Sequence, residues 1–190
     1  MALSEAVETC DPYTRGHSAR VGGMAAEVGR RLDCDDAQIA LLRLGGALHD
    51  VGKLGVRDEV LRKPGPLTRR ELREVRAHPE IGARMIAPDP ELRPALPIVL
   101  YHHERWDGEG YPSRRSGTEV PLEARILAVV DSYDAMTSDR PYRAALSPEL
   151  AVDEIARCAG TQFDPDVAAA FLAAWESGAL GLPAALRAAV

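Results

Sequence analysis

The apolar positions of this chain fall into a succession of helical stripes, broken by proline, glycine and short polar turns. Val21, Met24, Ala25, Val28 and Leu32 form the first stripe, and His17 lies one turn earlier on the same face. A turn at 33–36 supplies a plausible cap for the next helix. That helix carries Ile39, Leu41, Leu42, Leu44, Ala47, Leu48 and Val51, reads as mostly buried, and is expected to close at Gly52. Residues 57–67 connect, with Pro64-Gly65-Pro66 breaking any helix. Thr68 and Glu71 match a capping box, predicting a helix with Leu72 and Val75 inward that ends near His78-Pro79. A new helix is expected over 79–86, with proline in its first turn. Another runs from about Pro94 or Pro97 to His103 on Leu96, Ile98, Val99 and Leu100. A long loop follows over 104–121. Pro121 opens a helix whose inward residues include Leu122, Ile126, Leu127, Val129, Val130, Tyr133 and Met136. Ser147-Pro148-Glu149 starts a helix on Leu150, Val152 and Ile155. Asp164-Pro165 starts the last firm one, on Val167, Phe171 and Trp175. There is no internal repeat, so one domain is expected over 1–176, with 177–190 a tail that packs as a short helix or frays.

Polar residues interrupt these stripes at a few places. His49 and Asp50 enter the most apolar helix, followed by Lys53. A buried imidazole and carboxylate are costly unless something satisfies them, and a metal ion or a plain His–Asp hydrogen bond would each do so. Adjacent helical residues point about 100° apart, so the pair can serve two neighbouring ions, or one ion and its outer partner. His102 and His103 form a second adjacent pair at the end of an apolar helix, as metal ligands or as an exposed pair favoured by the helix dipole, and His78 stands at a helix junction, pointing into a cleft or capping at the surface. Asp131 breaks the apolar run after Val130, repeating the anomaly of Asp50. The chain has five histidines, and His17, His49, His78, His102 and His103 all fall on an inward stripe, a helix end or a junction. With Asp50 and Asp131 they make too many donors for one tetrahedral zinc, and they suit two ions bridged by carboxylate and water. Mixed imidazole and carboxylate donors favour iron or manganese, with zinc or nickel as alternatives, over calcium and magnesium. An ion pair of this kind is a usual device for phosphoryl hydrolysis by metal-generated hydroxide. Arg140 and Arg143 lie just beyond the Asp131 helix, either as a solvated pair or as a fork for phosphate oxygens. Trp106 and Tyr111 offer faces for a nucleobase, or simply anchor their loop.

Composition narrows the picture. The chain has 190 residues, 46% hydrophobic, 27% charged and only 5% aromatic, ordinary for a globular helical domain. A net charge of −6 argues against a general nucleic-acid binder, although bound cations would reverse the field locally. No apolar run approaches the ~20 residues of a membrane span, and no signal peptide precedes the first motif. The three cysteines are isolated, as for free thiols in a reducing cytoplasm. A motif already stands at residue 11, which suits a stand-alone effector or the output end of a longer signalling chain.

Five segments in one order, DPYTRGHSAR, LHDVGKLG, HPEIG, HHERWDGEGYP and DSYDAMTSDRPYR, resemble the HD-GYP family of the HD superfamily, phosphodiesterases acting on the bacterial second messenger cyclic di-GMP. The resemblance runs from about Asp11 to Pro165. It implies an all-α fold, a single helical HD-domain bundle of about seven or eight helices with a long GYP loop. It implies metal ligation by His17, His49, Asp50, His78, His102, His103 and Asp131, with Asp50 as the bridging carboxylate. It places Lys53 beside the metals, where it would stabilise the scissile phosphate, Gly110-Tyr111-Pro112 as a substrate-side wall, and Arg140 and Arg143 where that family holds phosphate. Some members bind a third ion through a glutamate four residues before the first histidine. Tyr13 stands there and Glu8 is displaced, so two divalent ions are expected.

The expected reaction is hydrolysis of cyclic di-GMP to pGpG, or onward to GMP. Alternatives are an HD-superfamily phosphohydrolase for another nucleotide, a non-catalytic module that holds cyclic di-GMP or a partner protein, and oxygen chemistry at a di-iron site. Candidate partners are a sensor or receiver domain, a diguanylate cyclase and a second copy of the chain.

Overall fold

The computed structural model describes residues 16–139 and 144–180. Among them there is no strand, and nine α-helices follow one another: α1 His17–Arg31, α2 Asp36–Leu48, α3 Asp58–Leu61, α4 Arg69–Arg76, α5 His78–Ile86, α6 Leu96–Tyr101, α7 Leu122–Thr137, α8 Pro148–Arg157 and α9 Pro165–Glu176. The all-α expectation holds, and α3, a single turn, is the element beyond the seven or eight expected.

The helix starts follow their capping chemistry. Asp35 and Gln38 cap α2 reciprocally, and Thr68 and Glu71 do the same for α4. Ser147 Oγ accepts from the Leu150 amide, and Asp164 from those of Asp166 and Val167. Helix α1 is central, packing on α2, α7 and α9. The larger core is built there from fully buried Val21, Val28, Leu42, Leu127, Val130, Ile155 and Phe171. Each such side chain contributes about 1.5–3 kcal/mol relative to its exposed state. A smaller cluster, Leu48, Val51, Ile86, Ala95 and Val99, joins the end of α2 to α5 and α6.

Three expectations are corrected. Helix α2 stops at Leu48 rather than running to Val51; His49 is its C-cap, and Val51–Gly55 turns into a 3₁₀ helix. The cause is tertiary: a Cβ on Gly52 would lie 1.9 Å from the His78 carbonyl oxygen and 2.5 Å from the Gly82 amide, so the chain turns to lay bare backbone on α5. Leu72 is 39% exposed rather than inward, because α4 is held by ion pairs at its margins, Lys63–Glu71 and Arg57–Glu74. Leu150 is 57% exposed, since the Ser147 cap phases α8 so that Ala151 and Ile155 face the core.

Candidate metal centre

The site is made at helix ends. His49 follows the last turn of α2, His78 follows that of α4, and His102 caps α6. In each case Nδ1 donates to a carbonyl three residues back: His49 to Gly46 at 2.9 Å, His78 to Val75 at 2.8 Å, His102 to Val99 at 2.9 Å. His17, on the first turn of α1, instead directs Nδ1 at Asp134 Oδ2, 2.7 Å away. A carbonyl oxygen accepts only, as does an ionised carboxylate. All four Nδ1 atoms therefore carry a proton, and in each neutral ring Nε2 presents a lone pair.

Those lone pairs meet. His17 Nε2 and His49 Nε2 are 3.2 Å apart, and so are His78 Nε2 and His102 Nε2. The Asp50 carboxylate stands between the two pairs, with Oδ2 3.5 Å from His49 Nε2 and Oδ1 3.4 Å from His78 Nε2. Asp131 Oδ1 approaches His17 Nε2 at 3.3 Å and His49 Nε2 at 3.8 Å. The His103 ring lies 4.1 Å, centroid to centroid, from that of His102. Donor atoms thus gather into two triads, His17–His49–Asp50 and His78–His102–His103, each within 4.8 Å. His17, His49, Asp50, His78 and His102 are buried. Two facing lone pairs at 3.2 Å repel unless a proton or a cation lies between them, and seven imidazole and carboxylate donors suit divalent transition ions. The residues present fit such a group.

The two halves differ in charge. Burial opposes the His17 imidazolium, but the carboxylates of Asp131, Asp134 and Asp50 outweigh it and raise its pKa to about 10. In the other half burial wins: it lowers His78, takes His102 well below its ordinary value with help from neighbouring rings, and takes His103 down to about 3. Burial works against ionised Asp50 too, yet Lys53, His49, His78 and His17 hold its pKa well below the usual range. Asp131 is likewise lowered against burial, by His17 and His49. The acid half can keep a proton between its rings, whereas the histidine half is left without one near neutrality.

Lys53 Nζ lies 2.7 Å from Asp50 Oδ2, on the carboxylate both triads share. Tyr111 stacks on His103 at 4.8 Å, and its amide donates to the His103 carbonyl. A Cβ on Gly110 would fall within 2.6 Å of the 103–105 backbone, which is why the loop can close onto the histidines. Glu104, buried, accepts from the Ser113 amide through Oε1, while its Oε2 has no hydrogen-bond partner among the described residues. Arg76, His102, His103, Tyr111 and Asp131 line a cavity of about 170 Å³. Trp106 lies outside that lining, with the Arg125 guanidinium 5.8 Å from its ring. Arg140 and Arg143, like Tyr13 and Glu8, lie outside the described residues.

Sequence reasoning missed Asp134 and Arg20. Asp134 receives Arg20 Nε on Oδ1 at 2.6 Å and Nη2 on Oδ2 at 2.9 Å, besides its bond with His17. Its spacing from Asp131, one turn along α7, was the available signal.

An all-helical bundle around a buried imidazole–carboxylate centre defines a class of domain in which helix ends supply metal donors. The chain belongs to the HD domain family, whose model matches residues 2–167. It is similar to a Thermotoga maritima protein named Cyclic di-GMP phosphodiesterase, 38% identical over 164 residues, which are 85% of this chain and 45% of that protein. It is also similar to a Vibrio cholerae protein named 3'3'-cGAMP-specific phosphodiesterase 3, 37% identical over 169 residues, 89% of this chain and 37% of that one. Among solved structures, a cyclic GMP-AMP specific phosphodiesterase of V. cholerae shares the fold, with a TM-score of 0.76 at 18% identity, over 100% of this chain and 50% of its own. The chain thus spans about half or less of the length of these relatives. The likeness to HD-GYP domains in the five motifs agrees with these matches. No helix among the described residues is long and apolar enough to cross a membrane.

Proposed function

We propose that this domain is a metal-dependent phosphodiesterase that opens cyclic di-GMP by hydrolysing a 3′–5′ phosphodiester, giving pGpG, with GMP as the product of a second cleavage. The observation that carries the reading is the Asp50 carboxylate set between two pairs of facing Nε2 lone pairs. His17, His49 and Asp131 would hold one divalent ion, His78, His102 and His103 a second, and Asp50 both; iron and manganese suit the donors best, zinc and nickel next. Such ions, when bound, supply Lewis acidity to a water and to the phosphate oxygens.

The chain's own groups do the rest. Asp134, steadied by Arg20, keeps the His17 proton on Nδ1, and the three helix-end carbonyls do the same for His49, His78 and His102. Lys53 Nζ sets a positive charge beside the shared carboxylate, where it can offset charge on a phosphate. Tyr111, held on His103, walls the cavity and limits water. Arg140 and Arg143 would take phosphate oxygens. Tyr13 in place of a glutamate argues for two ions rather than three. The free thiols Cys34 and Cys158 suit a reducing cytoplasm.

The relative named for 3'3'-cGAMP favours a second reading, a mixed cyclic dinucleotide as substrate. A turnover assay with manganese, or with ferrous iron under anaerobic conditions, compares cyclic di-GMP, 3'3'-cGAMP and pGpG. Product from cyclic di-GMP that vanishes together with bound metal in Asp50→Ala supports the proposal. Full turnover in Asp50→Ala, or binding without product in the wild type, overturns it.

A further inference from the structure

Helix α4 reads RRELREVR, and its charges are unevenly matched. Glu71 is engaged by Lys63 and by the Thr68 amide, and Glu74 by Arg57. Both acids are thus neutralised by residues off the helix. Arg69, Arg73 and Arg76 recur at four- and three-residue intervals, so they share one face, and all three are exposed. None of them has a side-chain hydrogen bond or ion pair to another described residue. In a chain of net charge −6 this is a positive stripe with no ion-pair partner among the described residues.

The stripe ends at the centre. The Arg76 guanidinium lies 5.2 Å from the Tyr111 ring centroid, and Arg76 lines the cavity with His102, His103, Tyr111 and Asp131. The cavity's other cation, Arg105, is occupied by Asp107 through two contacts and by Gln162. A volume of about 170 Å³ is below the 300–1,000 Å³ of pockets that enclose a whole drug-sized ligand. A cyclic dinucleotide can therefore place only part of itself beside the histidines, and the rest would lie outside, where Arg76 and Glu109 are the exposed members of the lining. Such a ring carries two phosphates, and only one can be at the reacting position.

Resting on the functional reading above, we propose that Arg76, steadied against Tyr111, binds the phosphate of the cyclic dinucleotide that is not being cleaved. The planar guanidinium matches two phosphate oxygens, and its position over a ring reduces the rotamer freedom lost on binding. Because phosphate is common to all such rings, Arg76 contributes affinity without selecting the base.

Kinetics of Arg76→Ala and Arg76→Lys in the metal-loaded chain test this with cyclic di-GMP, 3'3'-cGAMP and bis(4-nitrophenyl) phosphate, a diester with a single phosphate. The expected result for Arg76→Ala is a KM raised about 10–100-fold for both cyclic dinucleotides, kcat within about twofold, and unchanged hydrolysis of the single-phosphate diester. Arg76→Lys recovers part of the loss. Unchanged KM for both rings, a rise for only one of them, or equal loss on all three substrates overturns the assignment. Calorimetric binding of cyclic di-GMP to the ion-free proteins separates this from failure of the functional reading. If the wild type binds but does not cleave, a Kd raised tenfold or more by Arg76→Ala still supports it. An unchanged Kd, or no binding by the wild type, overturns it.

Discussion

Asp134 offers the most direct test of how the centre is held. Its Oδ2 takes the His17 Nδ1 proton at 2.7 Å and Arg20 Nη2 at 2.9 Å, while Oδ1 takes Arg20 Nε at 2.6 Å. Asp134→Asn keeps the volume but puts a donor where one oxygen stood. If the amide nitrogen replaces Oδ1 it meets the Arg20 Nε–H. If it replaces Oδ2 it meets the Nδ1–H of His17, and the ring escapes that clash only by moving its proton to Nε2, the nitrogen that faces His49. Asp134→Ala removes the acceptor altogether. Losing such an outer partner costs about 10–100-fold in ion affinity, or about 1.4–2.8 kcal/mol. The cost should fall on the ion of the acid half, because His78, His102 and His103 take no bond from Asp134. Anaerobic calorimetric titration of ion-free protein with manganese or ferrous iron, with bound metal counted by elemental analysis, should show one equivalent weakened and one unchanged. Thermal melting of the ion-free variants checks that both fold. If both variants bind two equivalents with wild-type affinity, Asp134 is only an ion-pair partner for Arg20 and the orienting role is wrong.

Two further outcomes follow from the same charges. Lys53→Ala should leave both ions bound and lower kcat about 10²-fold or more, since it removes a positive charge from beside the shared carboxylate; a variant that loses its metal would show Lys53 to be structural. Ion uptake should also depend on pH in one half alone. In the ion-free chain His17 keeps its proton to about 10, whereas His103, at about 3, has none near neutrality. Between pH 7 and 9 affinity at the acid half should therefore rise by up to about tenfold per unit with one proton released, and that of the histidine half should stay flat, which calorimetry in buffers of different ionisation enthalpy reads directly. The sign for stability is opposite. The folded pKa of His17 exceeds the unfolded 6.5, so its contribution to the ion-free fold is complete below pH 6.5 and fades as pH rises through about 10.

Much of the architecture was legible because local chemistry specifies it. The Asp35, Thr68, Ser147 and Asp164 caps sit where hydroxyl or carboxylate precedes an apolar stripe, and proline follows two of them. The end of α2 was not legible, because apolar residues continue to Val51 and the stop comes from Gly52 lying on α5, a contact remote in sequence. Leu72 and Leu150 misled for a related reason: periodicity tells which residues share a face, but neighbours decide whether that face is covered. The histidines and aspartates stood out as polar breaks in apolar runs. Arg76 did not, since an arginine among arginines on a polar helix carries no local mark.

What the sequence shows as adjacent pairs and junction histidines has one physical origin in the fold. A helix leaves its last carbonyls without an amide partner, and these must be satisfied by something. Gly46, Val75 and Val99 lie in the last turns of α2, α4 and α6, and each carbonyl accepts from the imidazole three residues on, that of Val75 beside the Ala77 amide. One bond therefore does two things: it completes a helix terminus and commits the imidazole proton to Nδ1, leaving Nε2 for the centre. The tautomer needed for ligation is set by the geometry of the helix end and needs no dedicated carboxylate at these three positions. His17 is the exception that supports the rule. It sits at a helix start, where the spare groups are amides rather than carbonyls, and there the chain supplies a side-chain acceptor, Asp134. A helix start cannot fix Nδ1–H by itself, so an acid one turn along α7 from Asp131 takes the place that a backbone carbonyl fills in the other three.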